Sequence, residues 1–263
     1  MSLESEPKIL GRGWTSIVSL YDTSTVLKGY QVWHNGQCHR SLEPDDFSKR
    51  SLDREHTVYQ RLGVHPNILR YYGRVALAPS VYSLRFELAE RGSLRDLVVS
   101  TNPPPIGIRL WLAWQTSLAL AYIHSKSVVH GDISCRNILI CQDWIVKISD
   151  FGGSTIDDGE SLGIGEEIRY ELPLRGRTWE ARPSIKKELF ALGSALYEIV
   201  AWEMPFDRLQ DEEVENNYAE EKFPGVQALV LGDIIRRCWD EQVDSATDVL
   251  KFIVLYMLSK MII

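Results

Sequence analysis

The chain is poor in the features that mark several protein classes. Its 263 residues include only four cysteines, Cys38, Cys135, Cys141 and Cys238. They form no CxxC pair and no zinc-ligand spacing, which argues against a structural zinc module. A disulfide scaffold would be unusual in a chain this long, so reduced thiols and a cytoplasmic or nuclear setting are expected. Basic runs never exceed two residues (Lys49-Arg50, Lys186-Lys187, Arg236-Arg237), and 29 basic against 36 acidic residues leave a net charge of −7. A nucleic-acid binder must cluster Lys and Arg to neutralise phosphates, so nucleic acid is not an expected partner. No apolar run reaches the roughly 20 residues of a spanning helix. The apolar stretch 249–263 is 15 residues long and is broken by Lys251 and Lys260. It reads as the end of a last helix burying one face, and no membrane partner is expected. Residues 1–6 carry no apolar h-region, so no secretory signal is expected.

The chain also lacks internal repeats and low-complexity tracts, and what remains divides in two. Up to about residue 88 it reads as β-rich. Strand-like runs at 8–10, 17–21, 26–30, 68–75 and 81–88 are punctuated by Gly and Asp-Thr-Ser turns. One helix interrupts them, with Leu52, Glu55, Tyr59 and Leu62 at helical spacing before Gly63. Beyond Gly92 helices dominate. Ser93 is a candidate N-cap for a short helix through Val99. A long helix follows Pro103-Pro104-Pro105, with Ile106, Leu110, Ala113, Ser117 and Ala121 along one face. Further helices are predicted around Leu189–Val200 and over 229–239. The expected architecture is α+β, with two lobes meeting near residue 89 and a ligand cleft between them.

Two strings carry chemistry. Gly11-Arg12-Gly13-Trp14-Thr15-Ser16 lies between two strand-like runs, where glycines would let backbone amides approach phosphate oxygens. A plain hairpin turn fits it as well. Lys28, in Val26-Leu27-Lys28, could equally be a solvated edge lysine. The second string is more specific. His130-Gly131-Asp132-Ile133-Ser134-Cys135-Arg136-Asn137 is followed, 18 residues after Asp132, by Asp150-Phe151-Gly152. An Asp can accept a proton from an incoming hydroxyl. Asn137 and Asp150 offer the hard oxygen ligands that Mg²⁺ requires.

In order and spacing this set resembles the catalytic loop and metal-binding motif of eukaryotic-type protein kinases. The resemblance runs from about Lys8 to about Asp248 and looks most like small single-domain kinases of fungal type. It implies a protein-kinase-like two-lobe fold, with a β-rich N-lobe carrying one helix and a mainly helical C-lobe. Residues 1–263 would form a single domain, with the N-lobe over about 1–88, a hinge at about 87–92 and the C-lobe over about 93–263. It implies ATP and Mg²⁺ as cofactors and a protein substrate. Asp132, Lys28, Glu55 and Arg136 would be catalytic. Gly11, Arg12, Gly13, Val18, Val26, Lys28, Glu87, Ala89, Asn137, Leu139 and Asp150 would contact nucleotide, and Asn137 and Asp150 would hold the metal. Phe86 would be the gatekeeper, and Cys238-Trp239 would belong to a late C-lobe helix.

The chain departs from the family pattern at several positions. Ser16 replaces a loop glycine. Gly131 stands where the family has the Arg that grips a phosphorylated activation loop, which implies a loop that needs no phosphorylation. Ser134 replaces the Lys usual in Ser/Thr kinases, while Arg136 stands where tyrosine kinases place an Arg. Specificity for Ser/Thr or Tyr therefore stays open. Leu174 replaces the Glu of an Ala-Pro-Glu segment, and Ser245-Ala246-Thr247 lies near where its Arg partner would be, so both partners are expected to be lost together. Glu188 replaces an Asp. Asp157, Asp158, Glu160, Glu166 and Glu167 could attract basic peptides or simply form a solvated acidic loop. Two rival readings remain. One is a pseudokinase or scaffold that retains nucleotide binding. The other is a small-molecule phosphotransferase of aminoglycoside or choline kinase type, which also uses His-Gly-Asp with Asn five residues on. Oligomeric state is not legible.

Overall fold

A computed structural model of the chain describes residues 7–34, 36–42, 46–157 and 159–261. The first lobe is built on a five-stranded antiparallel sheet of order β1-β2-β3-β7-β6. Its strands are β1 (Ile9–Arg12), β2 (Ile17–Leu20), β3 (Thr25–Gly29), β6 (Tyr71–Ala78) and β7 (Val81–Glu87). A separate hairpin, β4 (Gln31–His34) and β5 (Gln37–Ser41), follows β3. Helix α1 (Asp46–Leu62) then crosses to the sheet. It buries Ser48, Leu52, Glu55, Tyr59 and Leu62 along one stripe, the 3/4 spacing of a helix with one face inward. Gly63, at φ +65°, ends α1, and its N–H donates to the Tyr59 carbonyl as a left-handed C-terminal cap does.

The β4–β5 hairpin is absent from the strand pattern read off the sequence. Every residue of β5 is exposed, so no apolar alternation marks it. The Asn35-Gly36 pair, a strong hairpin-turn signal, was the available clue. Asn35 itself lies outside the described residues. The strand expected over 68–75 begins instead at Tyr71. Residues 67–69 are captured by the other lobe. Ile148 N–H donates to the Asn67 carbonyl and Leu69 N–H to the Ile148 carbonyl, while the Asn67 amide donates to Gln115 Oε1 at 2.9 Å.

The second lobe contains α2 (Leu94–Ser100), α3 (Ile106–Ser125), α4 (Ser184–Ala201), α5 (Asp211–Ala219), α6 (Gly232–Trp239) and α7 (Ala246–Met261). Short strands β8 (Val128–Val129), β9 (Ile138–Ile140), β10 (Val146–Ile148) and β11 (Thr155–Ile156) lie among them. Ser93 caps α2 in a reciprocal box with Asp96, as expected. Helix α4 is buried along almost its whole length and forms the axis of the lobe. Gly193 lets α6 approach it. A Cβ at 193 would lie 2.7 Å from the Cys238 Cβ, and the Trp239 indole N–H donates to Ser194 Oγ at 3.1 Å. Polar α5 buries only Val214 and Tyr218, which is why no periodic stripe announced it. Helix α7 buries Ala246, Val249 and Ile253 and packs on α3, so the apolar tail completes the lobe. Among the described residues no helix is long and apolar enough to cross a membrane.

The Ala-Pro-Glu position holds a rewired contact rather than a plain loss. Arg175 and Arg177 both reach Glu241, at 2.6 and 2.7 Å, and Arg175 also reaches Glu221 at 2.7 Å. Positive charge now lies on the segment and negative charge just beyond α6. Hydrogen bonds from Arg177 and then Arg175, against opposing burial, hold the Glu241 carboxyl down at about 2. A carboxyl depressed in the folded state stabilises the fold above its unfolded pKa of roughly 4.3, and that stability fades as pH falls toward 2. Glu241→Gln should therefore cost about 2 kcal/mol in urea unfolding at pH 7. At pH 3 the gap to wild type should narrow to less than half. An equal gap at both pH values would show that the charge contributes nothing.

Candidate active site

Strand β3 carries Lys28, which pairs across the sheet with Val18 on β2 and Leu84 on β7. That register turns its side chain into the cleft, where Nζ lies 2.7 Å from Glu55 Oε2 and 2.8 Å from Asp150 Oδ1. Glu55 is nearly fully buried, and it also accepts the Phe151 N–H. Burial disfavours the Lys28 ammonium, yet the two carboxylates outweigh it and hold its pKa above the ordinary value. Burial likewise opposes charge on Asp150, but Lys28 prevails and lowers its pKa. Asp150 adopts φ +67°, a left-handed conformation that costs energy outside glycine and is often found at functional sites.

The catalytic loop is held from several sides. His130 is fully buried; its Nδ1 accepts the Asp132 N–H, and Nε2 lies 2.9 Å from the Ser149 carbonyl. One ring nitrogen accepting and the other facing a carbonyl define a neutral imidazole, in line with the burial that lowers its pKa. The Asn137 side-chain amide donates to the Asp132 carbonyl at 2.7 Å and to Asp132 Oδ2 at 2.9 Å. Both donors are spent on Asp132, which leaves the Asn137 oxygen for another ligand. Burial, then the Asp150 charge, raise the Asp132 carboxyl to about 8, which makes its ionised form a stronger base than an ordinary carboxylate.

Gly131 has a structural reason beyond the missing Arg. Its φ is +83°, and a Cβ there would lie 3.1 Å from the Gly153 carbonyl oxygen, so a side chain would be both strained and crowded. Its N–H donates to Glu188 Oε1 at 2.7 Å, so the longer carboxylate on α4 still anchors the loop. Rings connect this loop to α1 and the sheet. His130 contacts Phe151, Phe151 meets Tyr59 edge-on, and Tyr59 packs on Phe86 and stacks on Tyr71, with centroids 4.8–5.2 Å apart.

Every residue expected to contact nucleotide lines one cavity of about 310 Å³. Gly11, Arg12 and Gly13 form its roof edge, Val18, Val26 and Leu139 its apolar walls, and Glu87 and Ala89 its hinge side. Arg136, Asn137 and Asp150 close the far end. Asp132 lines a second cavity of about 720 Å³ that shares Asp150, Gly13 and Ser16 with the first. Arg136 is mostly exposed, and its Nε lies 3.1 Å from Glu167 Oε1, a counter-ion the sequence did not reveal. Among the described residues no group of three or more His, Cys, Asp or Glu could hold a metal by itself. One carboxylate and one amide oxygen suit Mg²⁺, which typically completes its shell with waters and substrate phosphates.

The ties on the activation segment carry no signal in the sequence. Arg54 of α1 donates to the Ser154 and Glu160 carbonyls, and Arg61 grips Asp157 with both terminal nitrogens. The helix that presents Glu55 is thereby joined to the segment that follows Asp150. Deeper in the lobe, Arg95 meets Glu198 Oε1 at 2.5 Å and Glu167 at 3.2 Å, and the Tyr170 hydroxyl donates to Glu198.

Comparison with known proteins agrees with this fold. The model of the protein tyrosine and serine/threonine kinase family matches residues 40–252. The chain belongs to that family, and it folds as a protein kinase domain. The match begins after Lys28 and the glycine loop, whose assignment rests on geometry. A probable LIM domain-containing serine/threonine-protein kinase of Dictyostelium discoideum is 26% identical over 74% of this chain and 31% of its own length. The human tyrosine-protein kinase ABL2 is 28% identical over 76% of this chain and 17% of its own length. The serine/threonine/tyrosine-protein kinase HT1 of Arabidopsis thaliana is 27% identical over 70% and 48% respectively. The chain thus spans less than half the length of each of these relatives.

Proposed function

We propose that the chain is an ATP- and Mg²⁺-dependent protein kinase that phosphorylates a protein hydroxyl, with Ser, Thr and Tyr all open as acceptors. The observation that carries this reading is the assembly of Lys28, Glu55 and Asp150 by ion pairs of 2.7–2.8 Å where two cavities meet. Mg·ATP, when bound, supplies the transferable phosphoryl group and much of the charge neutralisation. Lys28, fixed by Glu55, offers a positive charge to the phosphates. Asn137 and Asp150 would hold the metal, and the 11–16 loop would cover the phosphates. Asp132 receives the acceptor hydroxyl from the second cavity and takes its proton, while Arg136 offsets charge on the γ-phosphate.

The described residues are read as one kinase domain with its hinge at about 87–92. Free thiols at all four cysteines fit a cytoplasmic or nuclear setting. The loop is read as independent of phosphorylation because Gly131 offers no guanidinium; of its hydroxyls Ser154 and Tyr170 are fully buried, while Thr155 is half-buried and Ser161 exposed.

The test is transfer of label from γ-labelled ATP to a pool of Ser, Thr and Tyr peptides. Labelled peptide should form with Mg²⁺, vanish with EDTA, and fall at least about 100-fold in Asp150→Asn. Metal-dependent nucleotide binding without labelled peptide would make the chain a pseudokinase scaffold. Label passing only to small alcohols or aminoglycosides would make it a small-molecule phosphotransferase.

A further inference from the structure

The acidic activation segment suggests, at first sight, a protein that selects basic substrates. Three of its charges are already occupied. Asp157 is gripped by Arg61, Glu166 is buried 3.5 Å from Lys187, and Glu167 lies between Arg95 and Arg136. Glu160 faces outward near Arg50, and Asp158 lies outside the described residues. The cavity in front of Asp132 has a different chemistry. Among the described residues its only charged lining side chains are Asp132 and Asp150, and both belong to the proposed phosphoryl-transfer machinery.

The rest of that lining is apolar or small. Trp14 stands at the tip of the glycine loop with 93% of its surface exposed, although it lines the cavity mouth. Phe47, in the first turn of α1, and Ile164, in the activation segment, supply the other walls. Ile164 is seated on the backbone. A Cβ at Gly153 would lie 2.9 Å from the Ile164 Cβ, so glycine at 153 is what lets this wall sit beside the Asp150 turn. A lone tryptophan left in water at a cavity rim costs the free protein exposed apolar surface that a partner side chain would cover. The volume, about 720 Å³, has room for side chains flanking the acceptor as well as for the acceptor itself.

We infer that Trp14, Phe47 and Ile164 form an acceptor-side collar that selects polypeptide substrates whose hydroxyl is flanked by apolar side chains, not basic ones. This rests on the proposed kinase reading, and it names the substrate class of that same site. Trp14 and Phe47 act as specificity-determining residues. Their side chains line the second cavity and not the first, so they face the segment around the acceptor.

The experiment uses the whole chain and two fluorescein-labelled peptide pools, each with a single Ser, Thr or Tyr. One pool carries Leu, Ile and Phe at the two positions on each side of the acceptor; the other carries Arg and Lys. Binding is read by fluorescence polarisation and phosphorylation by incorporation of label from γ-labelled ATP. The apolar pool is expected to bind and react at least tenfold better than the basic pool. Phe47→Ala, outside the 11–16 loop and absent from the lining of the first cavity, should raise the peptide KM about tenfold while the ATP KM changes less than twofold. Trp14→Ala, at an exposed position with little effect on folding, should raise the peptide KM in the same direction. Phosphorylation of the basic pool as well as or better than the apolar pool would overturn the collar and leave the kinase reading intact. Binding of the apolar pool through Trp14 with no phosphate transfer would support the collar and overturn the kinase reading. Binding of neither pool overturns the collar.

Discussion

Asp132→Asn should lower peptide phosphorylation by about 10²–10⁴-fold, while nucleotide affinity stays within about twofold of wild type. The size follows from what is removed. An asparagine still fills the site and still offers an oxygen to the Asn137 amide, which donates to Asp132 Oδ2 at 2.9 Å. It cannot take a proton from an incoming hydroxyl. Loss of a positioned general base is worth roughly 3–5 kcal/mol of barrier, which is the stated rate range. The insensitivity of nucleotide binding follows from placement, since Asp132 lines the second cavity and is absent from the lining of the first. The check pairs a kcat measured on phosphopeptide with a Kd from Mg·ATP titration. Undiminished turnover would mean that the proton leaves by another route. A large loss of ATP affinity would mean that the two cavities are not separate in function.

What the sequence disclosed follows from how far apart the partners lie along the chain. Asp132, Asn137 and Asp150 fall within one short stretch, where order and spacing are themselves the signal. Lys28 and Glu55 carried no signal alone; each acquired meaning only once that stretch supplied an order. The Ser93 cap and the buried stripe of α1 were legible because they are local rules of helix chemistry. Contacts between residues remote in sequence were not. Arg61 meets Asp157 across 96 residues and Arg95 meets Glu198 across 103, and nothing in the identity of an Arg or a Glu names its partner. Ile68, apolar and β-branched, has the chemistry of a strand residue, but the other lobe's Ile148 backbone takes up the segment. At Gly131 the sequence revealed an absent Arg. The crowding against Gly153 that makes glycine the fitting residue appeared only in three dimensions.

The remote pair Arg95–Glu198 carries the largest expected effect on stability. Glu198 is fully buried and Arg95 nearly so, and the Tyr170 hydroxyl completes the network by donating to Glu198. Burying two charges is costly, and their attraction in a poorly polarisable interior repays that cost only while both are present. Arg95→Met leaves the Glu198 carboxylate with one hydroxyl donor in place of the guanidinium. Glu198→Met leaves the guanidinium in the core with the partly exposed Glu167 as its remaining counter-ion. Each single variant should lose about 3–5 kcal/mol, which in a chain of this size is a fall of roughly 10 °C in Tm. The double variant should be more stable than the sum of the two losses by at least about 2 kcal/mol, because no lone charge remains. Thermal unfolding of the four proteins closes the cycle, and strict additivity would show that the two side chains act independently. The network also reaches the catalytic loop, since Tyr170 Oη lies 3.4 Å from the Cys135 amide. Glu198→Met, which removes the carboxylate that holds Tyr170, should therefore lower kcat under conditions where the variant is still folded. The double variant should recover stability without recovering rate, because Tyr170 then has no carboxylate to hold it against the loop.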